Sequence, residues 1–170
     1  MTNVEPDHLD HYGTREAFED AFVQFSRLIV PGGLLIVCAD DDGAARLGSK
    51  ALSEGVRVVS YGRGEALAGA ERHVRIGNES HVAGCARGTL DDGSGSYPDT
   101  LNVVGGHNLL NAAAAWAAGV ELGQEPAAMA EALGSFVGTG RRFETTGTAY
   151  GVTVVDDYAH HPTEVAATLH

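Results

Sequence analysis

The sequence predicts an α/β fold: a partly parallel sheet flanked by helices, with a small antiparallel β portion. Three observations carry this. Two continuous apolar runs, Leu34 to Ala39 and Val56 to Tyr61, read as strands covered on both faces. Ala44 to Leu52 between them reads as helix, and strand, helix, strand in that order makes a parallel pair. From Glu71 to Val104 the pattern breaks into short segments, His73 to Ile76, His81 to Arg87 and Leu101 to Val104, separated by Gly, Asn, Asp and Ser, which predicts antiparallel strands with hairpin turns.

Composition bounds the function. The chain has 170 residues, 44% hydrophobic and 20% charged, ordinary values for a soluble globular protein. Its formal net charge is -12, and Lys50 is the sole lysine. Such a chain is a poor general binder of nucleic acid or membrane surface. A small anion remains possible, held by local arginines, a helix N-terminus or a metal. Cys38 and Cys85 lie in apolar runs without metal-type spacing, so both read as buried free thiols. No apolar run is long enough to span a membrane, and a cytoplasmic address is the default.

Taken in order, Asn3 to Gly13 gathers Asp7, His8, Asp10 and His11. Carboxylate and imidazole are ligands for divalent ions, and they are equally the content of a polar loop before a helix. A helix follows from about Thr14 to Leu28, with Thr14 as N-cap and Phe18, Phe22, Phe25 and Ile29 as its apolar stripe. Asp40-Asp41-Asp42 after the first strand reads as a solvated strand-to-helix turn. Gly43 to Lys50 is no phosphate loop, because Lys does not directly follow the second glycine. Gly62-Arg63-Gly64 reads as a turn, and His73 and His81 as surface residues.

Gly105-Gly106-His107-Asn108-Leu109-Leu110-Asn111 opens a helix. The glycines permit a tight approach, and an Asn or His can cap the helix. Asn108 and Asn111 lie three apart, so two carboxamides could read a purine edge or serve only as caps. Pro126 starts a second helix with Met129, Leu133 and Phe136 inward. Gly138-Thr139-Gly140 is the most linker-like point. Arg141 and Arg142 could clamp a phosphate or simply face water at a strand start. Gly151 to Asp157 is a strand ending in two carboxylates, with Tyr158, His160, His161 and Pro162 beyond it. Functional groups in α/β folds gather at such carboxyl ends, and two His with two Asp exceed what a cap requires.

Four blocks together resemble the Mur ligase family: Asn3 to Gly13, Gly105 to Ala112, Gly140 to Glu144, and Asp156 to Val165. They stand in family order across nearly the whole chain. Asp-Asp-Tyr-Ala-His-His-Pro is similar to the branch that joins L-alanine to UDP-N-acetylmuramate. The resemblance implies that residues 1–138 are the later part of a central ATP-binding domain. Residues 139–170 would be the first strands and helix start of a Rossmann-like C-terminal, amino-acid-binding domain. N-terminal and C-terminal parts of the same enzyme, including the phosphate loop, are then expected outside this chain, and the chain alone is expected to be inactive.

By the same resemblance His8 is expected to ligate magnesium, and His107, Asn108 and Asn111 to contact adenine. Arg142, with Arg141 beside it, is expected to reach the ATP phosphates, and Asp157 the ribose. Tyr158, His160 and His161 are expected to line the reaction cleft. The implied reaction is ATP-dependent amide formation through an acyl phosphate in peptidoglycan precursor synthesis. Three other readings compete: a recycling ligase that adds a tripeptide to the same sugar nucleotide, a non-catalytic acidic α/β binding module, and a metal-binding module built on Asp7, His8, Asp10 and His11.

Overall fold

The computed structural model describes residues 1–7, 9–82 and 84–169. A single helical turn, α1, spans Leu9–Tyr12. Helix α2 spans Arg15–Ser26, and Thr14 caps it by accepting the Ala17 N–H at 3.1 Å. Phe18 is buried against Tyr12 and Phe22, as its stripe predicts. Phe25 departs from that expectation and is 64% exposed. The last turn of α2 turns Ser26 inward instead.

Strand β1 (Leu34–Cys38), helix α3 (Asp42–Ser53) and strand β2 (Arg57–Gly62) form the predicted parallel unit, in register from Leu34↔Arg57 to Cys38↔Tyr61. Val58, Val59, Ser60 and Tyr61 are all buried. Four consecutive buried positions mean both sheet faces are covered. The acidic turn after β1 is more than a solvated cluster. Asp41 caps α3 through the Ala44 N–H at 2.7 Å and also accepts the Val4 N–H at 3.0 Å.

Strands β3 (Arg72–Val82), β4 (Cys85–Asp91) and β5 (Ser96–Leu101) complete one five-stranded sheet in the order β1-β2-β3-β4-β5. β3 pairs parallel to β2, and the two later pairs are antiparallel. The antiparallel portion is therefore continuous with the parallel one. The expected segments were cut differently: His81 to Arg87 straddles the β3–β4 turn, and Leu101 to Val104 lies mostly past β5. A bulge in β3 between Gly77 and Ser80 breaks the alternation that would have revealed one long strand. His73 also departs from expectation. It is half-buried, its Nδ1 lies 2.8 Å from the Ser60 hydroxyl, and burial lowers its pKa.

Helix α4 (Gly106–Glu121) crosses β1 to β4, and α5 (Pro126–Leu133) packs on β5 and α4. Their shared centre is Trp116, fully buried, with its indole N–H donating to the Pro126 carbonyl at 2.9 Å and its ring 5.4 Å from Tyr97. Phe136, expected in the α5 stripe, falls beyond the helix and is exposed. Residues after the glycine joint form a separate hairpin, β6 (Glu144–Ala149) and β7 (Val152–Asp156), then helix α6 (Pro162–Leu169). Tyr150 and Gly151 turn it with φ of 52° and 79°, the paired positive values of a type I′ turn.

Candidate functional site

The parallel strands end in loops whose backbone is held by carboxylates. Asp40, just past β1, accepts the N–H groups of Arg63 at 2.7 Å and Gly64 at 3.0 Å beyond β2. A Cβ at Gly62 would lie 2.5 Å from Asp40 Oδ1, so the loop closes around that carboxylate because glycine stands there. The Arg63 side chain then crosses to the start of α4, where Nη2 donates to the Gly106 carbonyl at 2.9 Å.

Helix α4 begins on Gly105, at φ 96° and with no side-chain cap. The expected Asn or His cap is not made. Asn108 instead turns its amide back, and Nδ2 donates to the Val104 carbonyl at 2.7 Å. The His107 ring folds over Gly105, where a Cβ would lie 2.5 Å from its Cε1. Desolvation by the surrounding atoms lowers the His107 pKa, and the Asp157 carboxylate opposes that shift. Asn111 is exposed, and its carboxamide makes no hydrogen bond to the described residues.

The arginine pair sits on a strained turn. Arg141 and Phe143 both lie in the left-handed region, at φ 60° and 51°, on either side of Arg142. Each has its N–H held by a carboxylate: Arg141 by Glu144 at 2.7 Å, Phe143 by Asp157 at 2.8 Å. Asp157 accepts a second N–H from Ala159 at 2.7 Å, and these backbone bonds, Ala159 foremost, hold its pKa below the usual carboxylate range. The Arg141 guanidinium covers the Tyr158 ring at 4.6 Å. Arg142 keeps its side chain exposed, within electrostatic reach of Asp157 and Glu164.

The loop after β7 is where the four sequence blocks meet. His107 faces Asp157 electrostatically, and Phe143 is bonded to it. From the chain's beginning, Glu5 accepts the Thr163 hydroxyl at 2.7 Å and lies 3.8 Å from His161 Nδ1. His160 turns its Nδ1 to the Tyr158 carbonyl at 3.1 Å. His8, expected as a metal ligand, lies outside the described residues. Sequence reasoning missed Asp40, Glu5 and Arg63. The only local hint was the glycine on each side of Arg63, which marks a close backbone approach.

A profile described as Mur ligase middle domain matches residues 1–119, and one described as Mur ligase, glutamate ligase domain matches residues 141–170. The chain is 53% identical over 169 residues to a UDP-N-acetylmuramate–L-alanine ligase of Kineococcus radiotolerans, covering 99% of this chain and 35% of that protein. The corresponding ligase of Mycolicibacterium smegmatis is 42% identical, with the same two shares covered. Among solved structures, MurF from Acinetobacter baumannii superposes with a TM-score of 0.79 at 26% identity, over 97% of this chain and 34% of that one. The UDP-N-acetylmuramate-alanine ligase MurC from Thermotoga maritima gives 0.70 at 27% identity, over 98% and 36%. The chain thus spans about a third of the length of the curated relatives it matches.

Proposed function

The chain belongs to the Mur ligase family, and from that premise we propose that it is the segment of an ATP-dependent UDP-N-acetylmuramate–L-alanine ligase that holds the nucleoside end of ATP and carries the joint to the amino-acid-binding domain. The division falls at the glycine joint, with residues 1–138 on the central side and 139–170 on the other. The observation that carries this reading is the hydrogen bond from the Thr163 hydroxyl to Glu5 at 2.7 Å, which ties the two sides of that joint together beside the loop whose Asp157 carboxylate also acts electrostatically on His107.

Each side chain has a share that its geometry supports. Asn111 offers a free amide donor and acceptor to the adenine edge, while Asn108 mainly fixes the turn before it. His107 contributes a flat face beside the base. Asp157 uses one interaction per oxygen on the backbone and keeps lone pairs for ribose hydroxyls. Arg142 brings positive charge toward the phosphates from the second domain, so charge neutralisation requires the two sides to come together. Tyr158, His160 and His161 line the cleft where the carboxylate of UDP-N-acetylmuramate takes the phosphoryl group. The amine of L-alanine then attacks the acyl phosphate, and phosphate leaves. Magnesium, expected at His8, would neutralise phosphate charge when bound. The reaction belongs to peptidoglycan precursor synthesis in the cytoplasm.

The test is acceptor choice. The full-length ligase carrying this segment should couple UDP-N-acetylmuramate to L-alanine with stoichiometric ADP release, and the 170-residue chain alone should not. Use of the tripeptide in place of L-alanine would reassign it to the recycling branch. ADP release with neither acceptor would overturn the reading.

A further inference from the structure

Arg63 makes more bonds between elements than any of the expected site residues that the structure describes, and its arrangement is specific. Nε and Nη2 donate to the two oxygens of Glu79, at 2.5 and 2.9 Å, as a fork on a carboxylate. Nη2 also donates to the Gly106 carbonyl at 2.9 Å. Its own N–H is held by Asp40. One residue thereby joins the ends of β1 and β2, the bulge of β3 and the first residue of α4.

Two departures from regular structure make that possible. Gly88 of β4 faces Leu109 of α4, whereas Gly77 and Thr89 share the opposite face. Strict alternation from Gly77 would turn Glu79 away from α4. The bulge, with Asn78 at φ 52°, puts both Asn78 and Glu79 opposite Gly88 and returns Glu79 to the α4 side. At Gly106 a Cβ would lie 2.9 Å from Arg63 Nη2 and 3.6 Å from Glu79 Oε2. The glycine admits the guanidinium to the carbonyl.

The structure assigns Arg63 as a positioning residue for nucleotide binding: with Glu79 as its anchor, it fixes the first turn of α4 and so sets where His107 and Asn111 meet the base. This rests on the nucleotide reading of that helix. Arg63 need not touch ATP. Its effect passes through the Gly106 carbonyl, one residue before His107. A lysine cannot reproduce it, since it lacks the planar fork that bonds Glu79 twice while holding a third acceptor.

The experiment is steady-state kinetics of the full-length ligase carrying this segment, with Arg63→Ala, Arg63→Lys and Glu79→Gln, alongside His107→Ala and Asn111→Ala. Arg63→Ala should raise KM for ATP on the order of tenfold, with kcat and the other two KM values little changed, because a slight misplacement acts only where the displaced groups bind. Arg63→Lys should recover little of this, and Glu79→Gln should show part of it. If Arg63→Ala does not fold, the Arg63→Lys and Glu79→Gln variants carry the test by the same KM comparison. An unchanged KM for ATP in the folded Arg63 variants overturns the proposal. So does a parallel change in all three KM values, which is what general loosening gives. If His107→Ala and Asn111→Ala also leave KM for ATP unchanged, the nucleotide reading itself has failed.

Discussion

Phe143 donates its backbone N–H to the Asp157 carboxylate at 2.8 Å, and so fixes the turn that carries Arg142 against the loop after β7. The carboxylate holds a residue whose φ of 51° a bulky side chain rarely adopts. Removing it should release the turn. In Asp157→Ala, amide hydrogen exchange at Phe143 and Ala159 should speed up while that of α4 stays unchanged. Unaltered exchange at both amides would contradict the arrangement.

The same carboxylate faces His107. Asp157 raises the imidazole pKa against the stronger lowering by desolvation. Asp157→Asn removes the raising part alone, so His107 should titrate at a lower pH than in the parent. An NMR titration of its ring protons reads this directly. A value that stays put or rises would place the two groups out of electrostatic reach.

Asp99 on β5 predicts a pH-dependent stability. It is 1% exposed and neither carboxylate oxygen has a hydrogen-bond partner among the described residues. Burial raises its pKa to about 6, against about 3.9 for an unfolded aspartate. Between those values the folded state binds more protons than the unfolded one. Stability from this group is therefore full below about pH 4, falls as pH rises to about 6, and stays low above. Asp99→Asn should abolish that slope. Its unfolding free energy relative to the parent should improve by roughly 2–3 kcal/mol between pH 4 and pH 7. A difference that does not change with pH would show that the carboxyl has found a partner.

Trp116 joins α4, α5 and β5 in one contact set. Trp116→Ala should cost about 3–5 kcal/mol in urea unfolding through lost burial and the cavity left behind. Trp116→Phe should cost less. It keeps much of the ring against Tyr97 but leaves the Pro126 carbonyl without its donor, a penalty of about 1–3 kcal/mol. Equal losses for the two variants would mean that the hydrogen bond carries the stability.

The sequence by itself determined the elements whose causes are local. Thr14 and Pro126 mark helix starts because a cap hydroxyl and a fixed φ act within one turn. Leu34 to Cys38 reads as a covered strand because every position is apolar. The four blocks that meet at the loop after β7 were also visible, since each is a short run of unusual residue types. Only the tertiary structure decided what those residues bond to. Arg63 and Glu79 are 16 positions apart, and Glu5 and Thr163 are 158 apart. Periodicity carries no information at such separations. Nor could it foresee that a bulge keeps Glu79 on the α4 side, or that Asp99 lies sealed beneath the helices. Those outcomes depend on which faces the packed sheet and helices close against each other, a property of the whole chain and not of any window along it.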